Sequence, residues 1–236
     1  MVAAAILAGG RGRRLGGDVP KQFLELAGET VLTRCVRAFA ESGLVDLCLV
    51  CVPADHTAFT GELLRAADLP PGCPVHVTAG GESRSDTLKK ALLALRELTP
   101  LADCILLTHD AVRPFATKRM IADNIAAARE YGACGTGIPA TDTIYLCGED
   151  GFVDSVPVRS RVFHAQTPQS FRAAELLDLI EKIPPADFEA LTDGCSVYAY
   201  FQKRVYVVPG DRDNIKITYP EDMEKAREIL KRRARQ

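Results

Sequence analysis

Along the chain, short runs of consecutive apolar residues alternate with longer stretches whose apolar positions recur every three or four residues. Residues 3–7, 47–52, 75–78 and 104–108 are continuously apolar or nearly so, the pattern of parallel strands covered on both faces. Between them, Leu88, Ala91, Leu92, Leu95 and Leu98 share one face of a helix whose other face carries Lys89, Lys90 and Arg96. Val31, Leu32, Cys35, Val36 and Phe39 repeat that spacing, as do Met120, Ile121, Ile125 and Ala128. A last helix opens at Thr218-Tyr219-Pro220-Glu221, which has capping-box spacing and a proline in the first turn. Such alternation predicts an α/β fold: a doubly wound, mostly parallel sheet with right-handed crossovers and helices on both faces.

The alternation falters over 139–166. Residues 141–146 and 152–158 read as two exposed strands around a turn at 148–151, a β-arm leaving the main sheet. No repeat, compositional shift or linker marks a second unit, so the expectation is a single domain over 1–236 carrying this arm.

Composition narrows the function classes. The chain has 236 residues, is 47% hydrophobic, and balances 29 basic against 31 acidic side chains. A general nucleic-acid binder needs a basic surplus, which is missing here. Lys231, Arg232, Arg233 and Arg235 read as a solvated helix end. No apolar run is long enough to cross a membrane and the opening residues lack a basic leader, so a cytoplasmic protein is expected. The eight cysteines are scattered among apolar residues and read as free buried thiols. Cys48 and Cys51, spaced C-x-x-C, fall within a strand and should point to opposite faces, unlike a metal pair.

The strongest chemical signal follows the first strand: Gly9-Gly10-Arg11-Gly12-Arg13-Arg14, then Pro20-Lys21-Gln22. Glycines let backbone amides approach a ligand without side-chain obstruction, and the adjacent cations suit a triphosphate. The pattern is neither a Walker A loop, which needs Gly-Lys-Ser/Thr, nor a dinucleotide fingerprint, because Leu15 stands where the third glycine belongs. Asp110 follows an apolar run, at the carboxyl end of a strand where open α/β sheets bind ligands.

This loop resembles the signature of the nucleotidyltransferases. Gly80-Gly81-Glu82-Ser83-Arg84-Ser85-Asp86-Thr87, His109-Asp110-Ala111-Val112-Arg113-Pro114-Phe115, Gln166-Thr167-Pro168-Gln169, Thr192-Asp193 and Asn214-Ile215-Lys216 extend the resemblance to the cytidylyltransferases that act on straight-chain polyol phosphates. One branch of that family makes CDP-methylerythritol for isoprenoids, the other CDP-ribitol for surface polymers. Leu191-Thr192-Asp193-Gly194-Cys195 looks more like the ribitol branch. The resemblance implies CTP and a polyol phosphate as substrates, ribitol 5-phosphate first and methylerythritol 4-phosphate second, with Mg²⁺ carried mainly by the nucleotide. It implies catalytic roles for Arg14, Lys21 and Lys216. Nucleotide contacts fall to Ala8, Gly9, Gly10, Gly12, Gly80, Gly81, Glu82, Thr87 and Asp110, with Asp110 on hydroxyls or in the metal shell. Arg113, Thr143, Arg159, Thr167 and Thr192 match positions that grip the polyol phosphate. His109 is given a structural role, since a phosphate nucleophile is already ionised. A homodimer exchanging its arms, with Arg159 reaching the neighbouring site, is also implied. A hexose-1-phosphate nucleotidyltransferase shares the glycine loop and Pro-Lys but not the His109–Phe115 motif, and a non-catalytic nucleotide sensor would not need Arg14, Lys21 and Lys216.

Overall fold

The computed structural model describes residues 1–9 and 19–235. In chain order its strands are β1 (Val2–Leu7), β2 (Glu25–Leu26), β3 (Glu29–Thr30), β4 (Leu47–Val52), β5 (Val75–Ala79), β6 (Ile105–Asp110), β7 (Ala133–Pro139), β8 (Leu146–Cys147), β9 (Val153–Ser155), β10 (Phe163–Arg172) and β11 (Tyr206–Pro209). The helices are α1 (Val31–Ala40), α2 (Thr57–Ala66), α3 (Arg84–Leu98), α4 (Lys118–Tyr131), α5 (Ala173–Lys182), α6 (Pro185–Ala190), α7 (Gly194–Tyr200) and α8 (Pro220–Arg233). Seven strands form one sheet in the order β11-β7-β10-β6-β1-β4-β5, while β2 with β3 and β8 with β9 make separate pairs.

The apolar runs sit where their composition requires. Every residue of β1, β4 and β6 is buried, and alternate residues feed two cores on opposite faces. Ala4, Ile6, Cys48 and Val50 pack with Leu32, Val36 and Phe39 of α1 and Ile121 of α4. Ala3, Ala5, Leu49 and Cys51 pack with Leu88, Leu92 and Leu95 of α3 and Leu176 of α5. Cys48 and Cys51 therefore lie in different cores, as the strand period demands. Six cysteines are buried as free thiols, whereas Cys147 is exposed and Cys195 half-buried. Side-chain caps start the helices that frame the sheet: the Thr30, Ser83, Thr117 and Asp193 oxygens accept from the third backbone N–H beyond each.

The structure corrects the sequence reading in four places. Val75–Ala79 is an edge strand and only half-buried, so it is not covered on both faces. The sheet contains one strand antiparallel to both its neighbours, β10, whose buried residues include Gln166, Thr167, Gln169 and Ser170 and carry no apolar signal. Because His164 pairs with Ile138 and Ala165 with Gly137, residues 163–166 belong to the sheet, and the arm shrinks to 140–162. Within it the hairpin pairs only β8 with β9 around Gly151, whose φ of 82° suits glycine. Finally, the cap of α8 sits one residue later than the Thr218–Glu221 spacing suggests. The Asp222 carboxylate accepts from the Thr218 and Tyr219 N–H groups, both at 2.9 Å.

Phe171 joins β10 to the helical layer. It is 0% exposed, stacks on Tyr198 at 5.4 Å, and lies so close to α7 that a Cβ on Gly194 would meet its ring at 2.5 Å. Phe171→Ala should lower stability by about 3–5 kcal/mol in urea unfolding, the cost of removing a buried aromatic ring. A loss below about 1 kcal/mol would show that this junction does not need the ring.

Candidate functional site

From β1 the chain proceeds to β4 and β5 on one side, then crosses to β6 on the other side of β1. The carboxyl ends of β1 and β6 therefore lie at the point where the strand order reverses, the place where open parallel sheets form a ligand crevice. The β1–β6 register pairs Leu7 with Asp110, so the start of the glycine loop and the acid face one another across it.

Asp110 is the hub of this crevice. One carboxylate oxygen faces Arg84 Nη2 at 3.2 Å; the other faces Arg113 Nε at 3.2 Å and Lys216 Nζ at 3.0 Å. Burial opposes the charge, but Arg84, Lys216 and Arg113 outweigh it and hold the carboxyl well below the usual carboxylate range. The cations are themselves fixed. Arg84 opens α3 beside its Ser83 cap and donates to the Thr192 carbonyl at 2.8 Å. Arg113, 8% exposed, donates to the Asn214 carbonyl at 2.9 Å. Ile215 and Ile217 pack into a third apolar cluster with Met223, Ala226 and Ile229 of α8, while Lys216 between them reaches Asp110.

Behind the hub, His109 is 0% exposed and both ring nitrogens are engaged. Nε2 lies 2.9 Å from the Arg113 carbonyl, which can only accept, so Nε2 carries the proton. Nδ1, 2.9 Å from Thr167 Oγ1, then accepts from that hydroxyl. The same Oγ1 accepts from the Asp110 N–H at 3.0 Å. Burial pushes the His109 pKa down to about 4, which keeps the ring neutral. Its role is structural, and the Thr167 hydroxyl is spent on holding the Asp110 backbone rather than on the cleft.

Two cavities meet at Asp110. The first, about 220 Å³, is bounded by Ala8, Gly9, Lys21, Glu82, Thr87 and Lys216, among others. The second, about 500 Å³, lies toward Gln166, Thr167, Thr192 and Asp193. Ser83, Arg84, Asp110 and Lys216 line both. Lys21 is positioned by a 3₁₀ turn, Lys21–Phe23, and Gln22 Nε2 ties that turn to the Ala8 carbonyl at 3.0 Å.

Gly80 and Gly81 border neither cavity but pack beneath its wall. A Cβ on Gly9 would meet Thr87 Oγ1 at 2.9 Å, and one on Gly81 would strike the Asp86 carboxylate at 2.2 Å. The N–H groups of Ala8, Gly80 and Gly81 donate within the protein, to Cys51 O, Val52 O and Thr87 Oγ1, so they are not open to a base. Thr143 and Arg159 are exposed on the arm, and the structure does not bring them to either cavity. Gly10, Gly12 and Arg14 lie outside the described residues. The sequence motifs contain Arg84, Gln166 and Asp193 but give them no role. What brings Arg84 into the site is its contact with Asp110, 26 residues away, which no local pattern reports.

The depressed His109 pKa sets a pH signature. Between about pH 6.5 and 4 the unfolded chain binds a proton at this residue that the folded chain refuses, so stability falls as pH drops through that window. The displacement corresponds to on the order of 3 kcal/mol. Asp110 acts lower: its depressed pKa adds stability above about pH 4 that is lost below. Urea unfolding from about pH 7 to 4.5 should show a steeper loss for wild type than for His109→Gln; parallel curves would mean that the ring is protonated in the fold.

The whole chain also has close counterparts. The family model IspD, 2-C-methyl-D-erythritol 4-phosphate cytidylyltransferase, matches residues 2–232. A ribitol-5-phosphate cytidylyltransferase from Lactiplantibacillus plantarum is 36% identical over 236 residues, covering 99% of this chain and 100% of that protein. A solved 4-diphosphocytidyl-2C-methyl-D-erythritol synthase from Anaerococcus prevotii matches with a TM-score of 0.80 at 27% identity, over 98% of this chain and 96% of its own. The 2-C-methyl-D-erythritol 4-phosphate cytidylyltransferase of Francisella tularensis follows at 0.77 and 26%, over 96% and 98%. A match that runs from β1 into the last turn of α8, on the fold that builds this crevice, places the chain in the IspD cytidylyltransferase family.

Proposed function

We propose that this protein transfers a cytidylyl group from CTP to a phosphate oxygen of a linear polyol phosphate, ribitol 5-phosphate in first place, and releases pyrophosphate. The observation that carries the reading is the junction of the two cavities, where Arg84 and Lys216 face both sides of Asp110. The 36% identity to the Lactiplantibacillus plantarum ribitol-5-phosphate enzyme favours that substrate; the family model and the solved relatives keep methylerythritol 4-phosphate as the second.

In this reading the triphosphate lies along the first cavity against Lys21, and the polyol phosphate enters the second. A polyol-phosphate oxygen attacks the α-phosphorus, forming one P–O bond as the bond to pyrophosphate breaks in line. Such chemistry needs positioning and neutralisation of spreading negative charge rather than a protein nucleophile. Asp110 sets the three cations around the reaction point and remains anionic itself. His109 takes no part as a base, being buried and fully engaged. With the nearby N–H groups used internally, the backbone group left for the base is the carbonyl of Ala8, which borders the first cavity; it accepts from Gln22 with one lone pair, and the second suits the amino group of cytosine better than the carbonyl of uracil. Arg113, Thr167 and Thr192 border or support the polyol side.

Mg²⁺ belongs to this reading as a counter-ion of the nucleotide, because it keeps most of its water and takes few protein ligands. Asp110 does not suit inner coordination, since both its oxygens face cations. When bound, the ion would neutralise part of the triphosphate charge, and the chain's own cations supply the rest.

Assays of CTP with ribitol 5-phosphate and methylerythritol 4-phosphate side by side decide the substrate, and replacing CTP by UTP tests the base; comparable use of UTP would overturn the carbonyl argument. Lys21→Ala and Lys216→Ala should each lower turnover by roughly 10² or more, because losing a cation that faces the transition state costs about 3 kcal/mol, and Lys216→Ala should also lower the melting temperature, since it takes one of three cations from the buried Asp110. Wild-type turnover in either variant would remove that lysine from the mechanism.

The arm adds a quaternary element to the proposal. Tyr145, Leu146, Phe152, Val153, Val156 and Val158 are all more than half exposed on it, and a two-stranded hairpin is marginal alone. A second copy covering this surface would let Arg159 serve the neighbouring site. Lys21→Ala and Arg159→Ala, each nearly inactive, should then recover about a quarter of wild-type activity when unfolded and refolded as an equal mixture. An inactive mixture containing mixed dimers by mass spectrometry would place Arg159 at its own chain's site.

A further inference from the structure

The turn that presents Lys216 is braced from α8. The turn closes on itself: Asp213 N donates to the Asp211 carboxylate Oδ1 at 2.8 Å, Asn214 N to the Asp211 backbone carbonyl at 3.1 Å, and Ile215 N to the Asp213 carbonyl at 2.8 Å. The Asp213 carboxylate points from this turn to the last turn of α8. Arg232 Nη2 bonds one oxygen, and Arg233 Nε lies 3.7 Å from the other. The Arg233 guanidinium also sits over the ring of Phe115, 5.2 Å from its centroid. Phe115 is 1% exposed and lies in the loop that follows Asp110 and carries Arg113. One turn of one helix thus touches two of the three segments that bring cations to Asp110, those of Arg113 and Lys216, and its arginines are bound rather than a merely solvated basic end.

We propose that Arg232, acting through Asp213, is a positioning residue for the transfer reaction: it fixes the turn that sets the Lys216 ammonium against Asp110 where the two cavities meet. This rests on the role given to Lys216 above. Arg232 and Asp213 have side chains 55% and 26% exposed, and ion pairs so exposed contribute little to stability. Their effect falls instead on where the Lys216 charge stands relative to the reacting phosphate, and small displacements of a group that neutralises transition-state charge are costly in rate.

The test compares Arg232→Ala, Arg232→Lys and Asp213→Asn for kcat, KM and melting temperature, each made also in the Lys216→Ala background. Arg232→Ala should lower kcat about tenfold, with both KM values within about twofold and melting nearly unchanged. Arg232→Lys should recover most of the loss. In the Lys216→Ala background, Arg232→Ala should cost nothing further, because the residue it positions is gone. Wild-type kcat in Arg232→Ala, or the same tenfold loss in both backgrounds, would overturn the proposal. A readout free of turnover accompanies the kinetics: reductive ¹³C-methylation gives Lys216 an NMR signal, identified by its loss in Lys216→Ala. That signal should shift in Arg232→Ala. A shift in protein that turns over neither polyol phosphate would retain the positioning role and discard the substrate reading, whereas an unmoved signal would discard the positioning role whatever the activity.

Discussion

Asp110 is a carboxylate at 7% exposure, and removing such a charge from water is tolerable only when opposite charges and hydrogen bonds replace the solvent. Here three cations do so, and each comes from a different part of the chain: the first turn of α3, the loop after β6, and the turn before α8. Satisfying one buried charge therefore locks three loops at one point. The same cations exceed what Asp110 neutralises, and that surplus is what an anionic pair of substrates would meet. Stability and recognition here draw on a single electrostatic arrangement.

That arrangement depends on a neutral layer behind it. A charged His109 would add a fourth cation beneath Arg113 with no solvent to screen it, and burial prevents this. The neutral ring instead relays hydrogen bonds from the Arg113 carbonyl to the Thr167 hydroxyl and on to the Asp110 backbone. Thr167 reaches this position because the β10 ladder is irregular between Gln166 and Gln169, and because β10 runs antiparallel next to β6. Asn214 completes the link: its side chain donates to the Thr167 carbonyl at 2.8 Å and its own carbonyl accepts from Arg113. The polar residues of an otherwise unpromising strand are thereby tied to the hub.

The glycines illustrate how one residue type serves two purposes. The sequence reads Gly9, Gly80 and Gly81 as ligand-facing backbone, yet at Gly9 and Gly81 the space a side chain would need is already filled by Thr87 and Asp86. Gly80 is less crowded, with a Cβ meeting Thr87 at 3.3 Å. These glycines let the β1 and β5 loops close on the first turn of α3, and only the surface left by that packing faces the cavity. Gly194 is similar, for the Phe171 ring occupies the place of its side chain.

By itself the sequence determined the parallel half of the sheet, the main helices, the scattered free thiols, and the family to which the motifs point. Those features follow from periodicity, capping and short spacings, which are local properties that each segment carries wherever it is placed. It also marked Lys21 beside the glycine loop and Asp110 at the end of a strand, while the family resemblance added roles for Arg113 and Lys216. The tertiary structure alone decided that β10 is a sheet strand, since its polar residues are paid for by partners far along the chain. It alone turned Arg84 from part of a motif into a ligand of Asp110, and Arg232 from a solvated end into a brace. A contact between residues 26 or 19 positions apart leaves no trace in local pattern, because its energy exists only once the fold has brought the two charges together.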